Sequence, residues 1–386
     1  MPNNIWNIDP KQQAVRDEVR AFCKEHDIVK KGIELDRRPE PAQFPFEYFD
    51  VIAKAGFPKY SYPTEYGGGG KSGLEYNTMI EEFAYHDPPT SLLISIQQLA
   101  GQPIIHFGND YLKEQYLKPA ANGDMIMCFM LTEPEAGSDA SNQKTVAVED
   151  GDNYIVNGEK IFIMHGDVAE AGVLFCKIQE EGMRDRVSTL IVDLKQEGVT
   201  QRTLEHKMGM KCATTGHIKL ENVKVPKKNL LGEKGKGFRY AMMTLDGARI
   251  GIAAQSVGIA QRAFDEAVEY AKKRNAFGAP IAKLQAIQWM IADMSCRLEA
   301  ARALTYKSSV MWDNGEKFGT QAAQAKLYAS EAAGFCCDRA IQVHGGYGYI
   351  EEFSVIGKLY RDQRVTEIYE GTSEIQRLVI ATGLLR

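Results

Sequence analysis

The chain lacks an excess of basic residues: its 386 residues include 46 Lys and Arg against 51 Asp and Glu, a net charge of −5. Proteins that bind nucleic acid or anionic membranes usually carry a basic surface, so neither is expected as a partner. No apolar run approaches the roughly 20 residues that a membrane-spanning helix needs. Residues 1–6 contain neither the basic start nor the apolar core of a secretory signal, so a cytoplasmic location is the expectation.

Motifs for disulfides and metal sites are also missing. No two cysteines form a C-x-x-C pair, and none has a histidine at the spacing of a zinc finger. We therefore expect reduced cysteines that are mostly packed in the interior, and no metal site. The cysteines are Cys23, Cys128, Cys176, Cys212, Cys296, Cys336 and Cys337.

The glycine motifs that bind nucleotide phosphates are incomplete. Gly70-Lys71-Ser72 resembles the end of a P-loop, but Glu65 stands where that motif requires its first glycine. The segment is therefore predicted to be a surface turn. No Gly-x-Gly-x-x-Gly follows a strand either, so a nucleotide cofactor must be held in some other way than in a Rossmann fold.

The spacing of apolar residues divides the chain into three parts. Residues 1–125 and 236–386 have apolar residues three and four positions apart, which predicts helices. Residues 126–235 alternate with a period of two, which predicts a compact β-domain of six to eight strands. The predicted fold class is α+β, with an N-terminal helical domain, a central β-domain and a C-terminal domain similar to a four-helix bundle. Within the β-domain, Asn157-Gly158 separates two strand-forming runs and predicts a tight hairpin turn.

Two polar segments are candidates for a functional site. In residues 368–377, Glu370 lies between an aromatic residue and a glycine, and a carboxylate on such a bend acts as a base when its pocket is dry. The same residues also fit a helix start capped by Thr372 or Ser373. Residues 131–139 supply hydroxyls and open N–H groups that suit a polar ring edge or phosphate oxygens, although an ordinary loop has the same composition.

Taken together, these segments resemble the acyl-CoA dehydrogenase family of flavoproteins. The resemblance covers nearly the whole chain, and six segments occur in the order found in that family. They are residues 127–139, 160–166, 246–249, 274–278, 344–348 and 369–377. The resemblance implies the three-part fold, FAD as cofactor and a homo-oligomer that is usually a tetramer.

The resemblance also implies roles for individual residues. Glu370 matches the catalytic base, and Tyr369 and Gly371 flank it at the substrate. Asp246, Arg249 and Ser138 match positions near the CoA portion, and Ser91, Leu92 and Ser95 match the end of the acyl pocket. Residues matching the flavin-lining positions are Phe129, Leu131, Thr132, Gly137, Ser138, Phe162, Met164, Thr372, Ser373 and Glu374. Residues matching contacts to FAD across a subunit boundary are Arg274, Phe277, Gln285, Gln342, Gly345 and Gly346.

One departure from the family pattern lies at the flavin. Family members commonly carry Trp-Ile-Thr where this chain has Phe162-Ile163-Met164. A threonine hydroxyl donates a hydrogen bond, whereas the thioether of Met164 cannot. A change in flavin potential or substrate range is therefore expected.

The expected reaction is FAD-dependent α,β-dehydrogenation of a compact acyl-CoA that is short, branched, cyclic or aryl-substituted. Glu370 removes the α-proton, flavin N5 takes the β-hydride, and an electron-transfer flavoprotein receives the electrons. Residues 91–95 contain no cation for a second carboxylate, which disfavours dicarboxylic substrates. Two alternatives stay open: the same site run in reverse as an enoyl-CoA reductase, and a DNA-associated flavoprotein on the same fold, which would need a basic C-terminal surface.

Overall fold

The computed structural model describes residues 10–39, 43–180 and 186–385, so residues 1–6 lie outside the described part. It begins with helices that pack around a shared apolar core. The helices are α1 (Pro10–Glu25), α2 (Ile28–Asp36), α3 (Phe46–Lys54), α4 (Gly73–His86), α5 (Pro88–Phe107), α6 (Asp110–Leu112) and α7 (Lys118–Asn122). Short 3-10 helices cover Phe57–Lys59 and Thr64–Tyr66, and a π-helical turn covers Lys113–Leu117.

Local sequence explains where these helices start and which faces they bury. Val15 and Val19 of α1 are buried, as their spacing predicts. The glycine-rich segment that resembles a P-loop is the turn before α4. Its Ser72 forms a capping box, in which Ser72 Oγ accepts from Glu75 N at 3.2 Å and Glu75 Oε2 accepts from Ser72 N at 3.0 Å. Helix α5 is buried along most of its length because it lies between the other helices and the sheet.

The middle of the chain forms a seven-stranded mixed sheet. The strands are β1 (Met127–Met130), β2 (Val146–Asp150), β3 (Asn153–Met164), β4 (Ala171–Ile178), β5 (Val187–Asp193), β6 (Val199–Thr203) and β7 (Thr215–Pro226). Strands β1 and β2 pair in parallel with β4, and β5 pairs antiparallel with β4. The sheet continues through antiparallel pairs from β2 to β3, β7 and β6.

The predicted hairpin at Asn157-Gly158 is wrong, because both residues lie inside the single strand β3. The hairpin forms earlier, between β2 and β3. At Asn157-Gly158 the pairing of β3 with β7 shifts register, and Asn157 Oδ1 accepts from Asn222 N at 2.8 Å. The Asn-Gly pair therefore lies opposite a bulge, in which Glu221 and Asn222 of β7 face Asn157, and does not form a turn between strands.

The last part of the chain is helical again. Its helices are α8 (Gly237–Lys273), α9 (Gln285–Asp313), α10 (Gly319–His344), α11 (Gly346–Tyr349), α12 (Ile356–Gln363) and α13 (Ser373–Leu385). Short 3-10 helices cover Lys227–Asn229, Ile281–Lys283 and Arg364–Glu367, and strands β8 (Asn275–Ala276) and β9 (Ala279–Pro280) form a small hairpin. Helix α8 packs against α4, α9 and α10, so it forms the centre of the bundle. This arrangement confirms the α+β fold class.

The cysteines are free, and all except Cys296 are buried, which confirms that they are mostly packed in the interior. Across residues 10–39, 43–180 and 186–385, no three His, Cys, Asp or Glu side chains are grouped to hold a metal ion. Within the same ranges, no helix has both the length and the apolar character needed to cross a bilayer.

Candidate active site

The loop before α13 places Glu370 on a bend of unusual backbone geometry. Glu370 has φ 54° and Gly371 has φ 94°, so two successive residues adopt left-handed conformations. Thr372 Oγ1 then accepts from Ile375 N at 3.3 Å and caps α13. The segment therefore holds a carboxylate on a bend and also starts a helix capped by Thr372.

Three side chains hold the two carbonyls of this bend. Gln376 Nε2 donates to Glu370 O at 3.1 Å and to Gly371 O at 2.8 Å. Lys326 Nζ donates to Gly371 O at 2.8 Å, and Arg249 Nε lies 3.5 Å from Glu370 O. A left-handed conformation costs a residue with a side chain about 1–2 kcal/mol. Such a conformation persists only where its surroundings fix it, as these bonds do.

The carboxyl of Glu370 lies in a desolvated environment that contains two cations. Burial raises the pKa of Glu370 to about 7, although Lys326 and Arg249 oppose this shift. Burial likewise lowers the pKa of the Lys326 ammonium to about 8, against the attraction of Glu370. The Arg249 guanidinium forms an ion pair with Asp246 at 2.5 Å. A carboxyl with a pKa near 7 is suited to acid–base chemistry at neutral pH.

A chain of hydrogen bonds links this loop to α5. The Tyr369 hydroxyl donates to Gln255 Oε1, and Gln255 Nε2 donates to Ser91 Oγ at 2.8 Å. Ser91 and Leu92 are buried, while Ser95 is half-buried and its hydroxyl donates to Leu92 O at 3.3 Å. The structure therefore connects Ser91 to the residue beside Glu370. Sequence reasoning missed Gln255, although a buried glutamine on the apolar face of α8 is itself a signal of such a role.

A buried ion pair fixes the loop that follows β1, residues 131–139. Lys160 is fully buried on β3 and donates to Glu133 Oε1 at 2.8 Å and to Leu131 O at 3.0 Å. Glu133 also accepts from the main-chain N–H groups of Lys144 and Thr145. Sequence reasoning assigned no role to Lys160 or Glu133, yet they fix the loop that carries the predicted flavin-lining residues. Of those residues, Phe129 and Leu131 are buried, Thr132 is half-buried, and Gly137 and Ser138 are exposed.

The end of β3 presents an aromatic side chain to solvent. A second register shift lies between Lys160 and Ile163, and Phe162 adopts φ 59° with 65% of its surface exposed. Bulges of this kind redirect side chains at the edges of binding sites. Met164 is half-buried, and Thr215 Oγ1 lies 3.1 Å from its sulfur.

The residues predicted to reach FAD across a subunit boundary lie on a different surface. Arg274, Gln342, Gly345 and Gly346 line a groove of about 540 Å³, and every lining residue that the structure describes belongs to the C-terminal part of the chain. Phe277 lies in the turn between β8 and β9 with φ 54° and is 95% exposed, and Gln285 is exposed at the start of α9. Within the described chain, this groove and the flavin-lining loops do not form one pocket.

Comparisons of this chain with known proteins all point to one protein family. The family models for the N-terminal, middle and C-terminal domains of acyl-CoA dehydrogenase match this chain over residues 9–124, 128–223 and 235–385, respectively. The chain is 46% identical to the caffeyl-CoA reductase–Etf complex subunit CarC of Acetobacterium woodii, over 91% of this chain and 93% of that protein. It is 44% identical to the 3-(aryl)acrylate reductase of Clostridium sporogenes, over 95% of this chain and all of that protein (100%).

A solved structure agrees with the sequence relatives. Butyryl-CoA dehydrogenase from Megasphaera elsdenii superposes with a TM-score of 0.93 at 38% identity, covering 99% of this chain and 100% of that one. The chain belongs to the acyl-CoA dehydrogenase family, and it is an enzyme of that family.

Proposed function

We propose that the enzyme carries out FAD-dependent α,β-dehydrogenation of a compact acyl-CoA, with Glu370 as the base that removes the α-proton. The acyl group is short, branched, cyclic or aryl-substituted. The observation that carries this proposal is the environment of Glu370, whose carboxyl has a pKa raised by burial to about 7 on a fixed, left-handed bend. A base of this proton affinity is half ionised at neutral pH, where proton transfer by a carboxylate is most effective.

The residues present fit FAD at three points. The exposed face of Phe162 offers an apolar surface beside the loop of residues 131–139. A Cβ added at Gly137, Gly345 or Gly346 would meet no atom within 4 Å, so the backbone there is open to a ligand. The groove beside Gly345 also contains Arg274, a cation suited to a diphosphate.

The full set of residues that would hold FAD is the one that the family resemblance gives. These residues are Phe129, Leu131, Thr132, Gly137, Ser138, Phe162, Met164, Arg274, Phe277, Gln285, Gln342, Gly345, Gly346, Thr372, Ser373 and Glu374. When bound, FAD would supply the acceptor for the hydride, and thus for the two electrons, that leave the β-carbon.

The other steps belong to the side chains and backbone of the enzyme. Glu370 takes the α-proton, and Arg249 and Lys326 stabilise the carboxylate beforehand. The main-chain N–H of Glu370 serves as a donor to the thioester oxygen as negative charge develops on it. Ser91, Leu92, Ser95 and Tyr369 limit the acyl group, and Asp246 and Ser138 contact the CoA portion. Binding a thioester in this site displaces water and keeps the proton affinity of Glu370 high.

The placement of the FAD-binding residues supports an oligomer. The groove at Arg274 is lined by residues of the C-terminal part of the described chain, and the loop around Gly137 contributes none of them. A second copy can bring its groove to the flavin-lining loop of the first, so each site would be shared. We propose a homotetramer on this ground, together with the family resemblance.

Reduction of an enoyl-CoA is the second candidate function. Two relatives, at 46% and 44% identity, are named as a caffeyl-CoA reductase and a 3-(aryl)acrylate reductase. In that direction Glu370 in its protonated form donates to the α-carbon, and a pKa of about 7 serves both directions equally. One relative is named as part of an Etf complex, which supports an electron-transfer flavoprotein as the electron partner.

The test is rapid anaerobic mixing of the purified protein with a panel of acyl-CoAs, including butyryl-CoA and 3-phenylpropionyl-CoA, while the flavin absorbance is followed. We expect Glu370→Gln to slow flavin reduction at least about a hundredfold. Glu331→Gln is the matched control, because Glu331 pairs with Arg377 on the surface of α10. Flavin reduction in Glu370→Gln at the wild-type rate would refute the assignment. Mixing chemically reduced protein with the corresponding enoyl-CoAs gives the rate of flavin reoxidation, and comparison of the two rates shows which direction is faster.

A further inference from the structure

We propose that Lys326 is a positioning residue that holds the bend at Glu370 and supplies a buried positive charge that favours the ionised form of Glu370. This inference rests on the proposed role of Glu370 as the base. It adds a residue of α10 to a site that sequence motifs assign to the loop before α13.

The position of Lys326 is unusual for a lysine. It is fully buried, and its neighbours on α10 include the buried residues Ala322, Ala325 and Ala329. These small side chains allow α10 to pack closely against α8 and α13. A lysine buried among them has a large desolvation cost unless a specific partner compensates for it. Its ammonium donates to Gly371 O at 2.8 Å, directly after Glu370.

Several charged groups face this ammonium, and Glu370 has the largest effect among them. Glu370 raises the pKa of Lys326, Arg249 of α8 lowers it, and Glu367 and Glu374 raise it by less. In return, Lys326 is the leading charge that lowers the pKa of Glu370, ahead of Arg249. Lys326 and Glu370 therefore form a coupled pair across the bend.

Other groups near the bend leave this pairing unchanged. Asp246 is engaged in its ion pair with Arg249, and Glu367 pairs with Arg364 at 3.2 Å. The phenols of Tyr76 and Tyr369 have pKa values raised by burial, so they stay neutral at physiological pH.

Substitutions can separate the two roles proposed for Lys326, which are to hold the bend by a hydrogen bond and to supply a positive charge. Gln376 donates to the same carbonyl, Gly371 O, at 2.8 Å but carries no charge. Loss of Gln376 therefore loosens the bend without removing a cation. Lys326→Gln removes the cation and keeps a donor, and Lys326→Met removes both.

The sign of the effect follows from electrostatics. Removing a cation from a buried carboxylate favours its protonated form, so the pKa of Glu370 rises further. The fraction of ionised base at neutral pH then falls. The acid limb of the pH profile for flavin reduction should move upward by about one pH unit, the lower end of the shift that a nearby opposite charge produces.

The experiment compares wild type, Lys326→Met, Lys326→Gln, Lys326→Arg and Gln376→Leu. Flavin reduction by butyryl-CoA is measured across pH, and the carboxyl band of Glu370 is titrated by infrared difference spectroscopy against Glu370→Gln. We expect the limb and the infrared titration to move upward in Lys326→Met and Lys326→Gln, and to return toward wild type in Lys326→Arg. Gln376→Leu should lower the rate of flavin reduction but leave both midpoints, that of the acid limb and that of the infrared titration, at their wild-type pH.

The inference would be overturned if the acid limb and the infrared titration of Glu370 stayed at their wild-type pH in both Lys326→Met and Lys326→Gln. It would also be overturned if Gln376→Leu shifted them as far as the Lys326 variants do. Should Lys326→Met fail to fold, as judged by circular dichroism and thermal unfolding, Lys326→Gln alone decides the outcome. Failure of the proposed function gives a different result, because Glu370→Gln would then reduce its flavin normally whatever residue stands at position 326.

Discussion

At the residue scale, Glu370 shows how a fixed backbone conformation and a desolvated environment raise the proton affinity of an ordinary carboxyl to the range that the proposed base needs. The Glu-Gly pair predicts a bend, and the structure shows left-handed φ values at both residues. The raised pKa of Glu370 could not be predicted from local sequence, because its cause is burial in the folded protein, which outweighs the opposing effect of two cations on α8 and α10, Arg249 and Lys326. Those residues lie far from Glu370 along the chain and meet it only in the folded protein.

Gly371 should tolerate no side chain. Its φ is 94°, and an added Cβ would lie 2.7 Å from Gln376 Nε2, the donor that holds the bend. We expect Gly371→Ala to lower the free energy of unfolding by about 1–2 kcal/mol and to slow flavin reduction by at least about tenfold, because a misplaced base transfers protons poorly. Thermal unfolding and rapid mixing measure the two effects.

Gly315→Ala is the control for this change. Gly315 has φ 68° and no atom within 4 Å of an added Cβ, so the substitution adds backbone strain without a clash. It should cost stability and leave the rate unchanged. Equal rates for Gly371→Ala and wild type would show that the bend is not needed for proton transfer.

The stability of the fold should depend on the protonation of Glu370. Its pKa rises from 4.5 to about 7 on folding, so the folded chain binds this proton more tightly than the unfolded chain does. The stabilising contribution of the proton is complete below pH 4.5 and is lost as the pH rises through 7. We expect Glu370→Gln to unfold at a higher temperature than wild type at about pH 8, and this difference to shrink at about pH 5. A difference that is the same at both pH values in calorimetry would contradict the assigned burial.

At the element scale, β3 shows the limit of short sequence motifs. Asn-Gly is a strong turn signal, yet Asn157 and Gly158 lie inside one continuous strand, opposite a bulge in β7. The reason is the pairing with β7, a strand more than 50 residues away, whose Asn222 binds the side chain of Asn157. Local preference was overridden by a tertiary partner that the local pattern does not reveal. The same strand carries Lys160, and the bulge of β3 itself, between Lys160 and Ile163, exposes Phe162.

The ion pair between Lys160 and Glu133 should matter for binding of the cofactor. Removing one member of a buried pair costs about 3–5 kcal/mol because it leaves the other charge without compensation. Lys160→Met should therefore destabilise the β-domain and loosen the loop of residues 131–139. We expect the flavin absorbance per protein, measured after gel filtration, to fall.

The control for Lys160→Met is Lys144→Met in the same loop. Lys144 pairs with Glu135, but both side chains are exposed, and exposed ion pairs contribute little. Lys144→Met should keep its flavin. Full retention of flavin by Lys160→Met would show that the buried pair does not support the loop.

At the scale of the whole molecule, the described chain carries surfaces that a second copy would complete. Phe277 is 95% exposed, and Trp289 on the nearby helix α9 is 60% exposed. Burial of one such aromatic side chain at an interface contributes about 1.5–3 kcal/mol. We expect a tetramer by light scattering, and we expect Phe277→Asp to shift the protein toward smaller species with less bound flavin.

Phe46→Asp is the control for this prediction, because Phe46 is also exposed, at 53%, but lies on the N-terminal helix α3. It should leave the oligomeric state unchanged. A monomeric wild-type protein that still retains its flavin would contradict the shared site.

Much of this architecture could be predicted from the sequence. The order of helices, sheet and helices followed from the change in hydrophobic period, and the bend at Glu370 and the helix start after it followed from residues 368–377. Gln255 and Lys326 are each recognisable as a polar residue on a buried helix face, but their partners could not be predicted because those partners lie elsewhere in the chain. The separation of the groove at Arg274 from the flavin-lining loop likewise depends on the fold and not on a motif.

The most direct test of the account is whether Glu370 moves the α-proton. The purified protein is incubated with butyryl-CoA in D₂O without an electron acceptor, and loss of the α-proton signal is followed by NMR. We predict rapid exchange with wild type and with Glu331→Gln, and exchange at least about a hundredfold slower with Glu370→Gln. Exchange by Glu370→Gln at the wild-type rate would contradict the central claim.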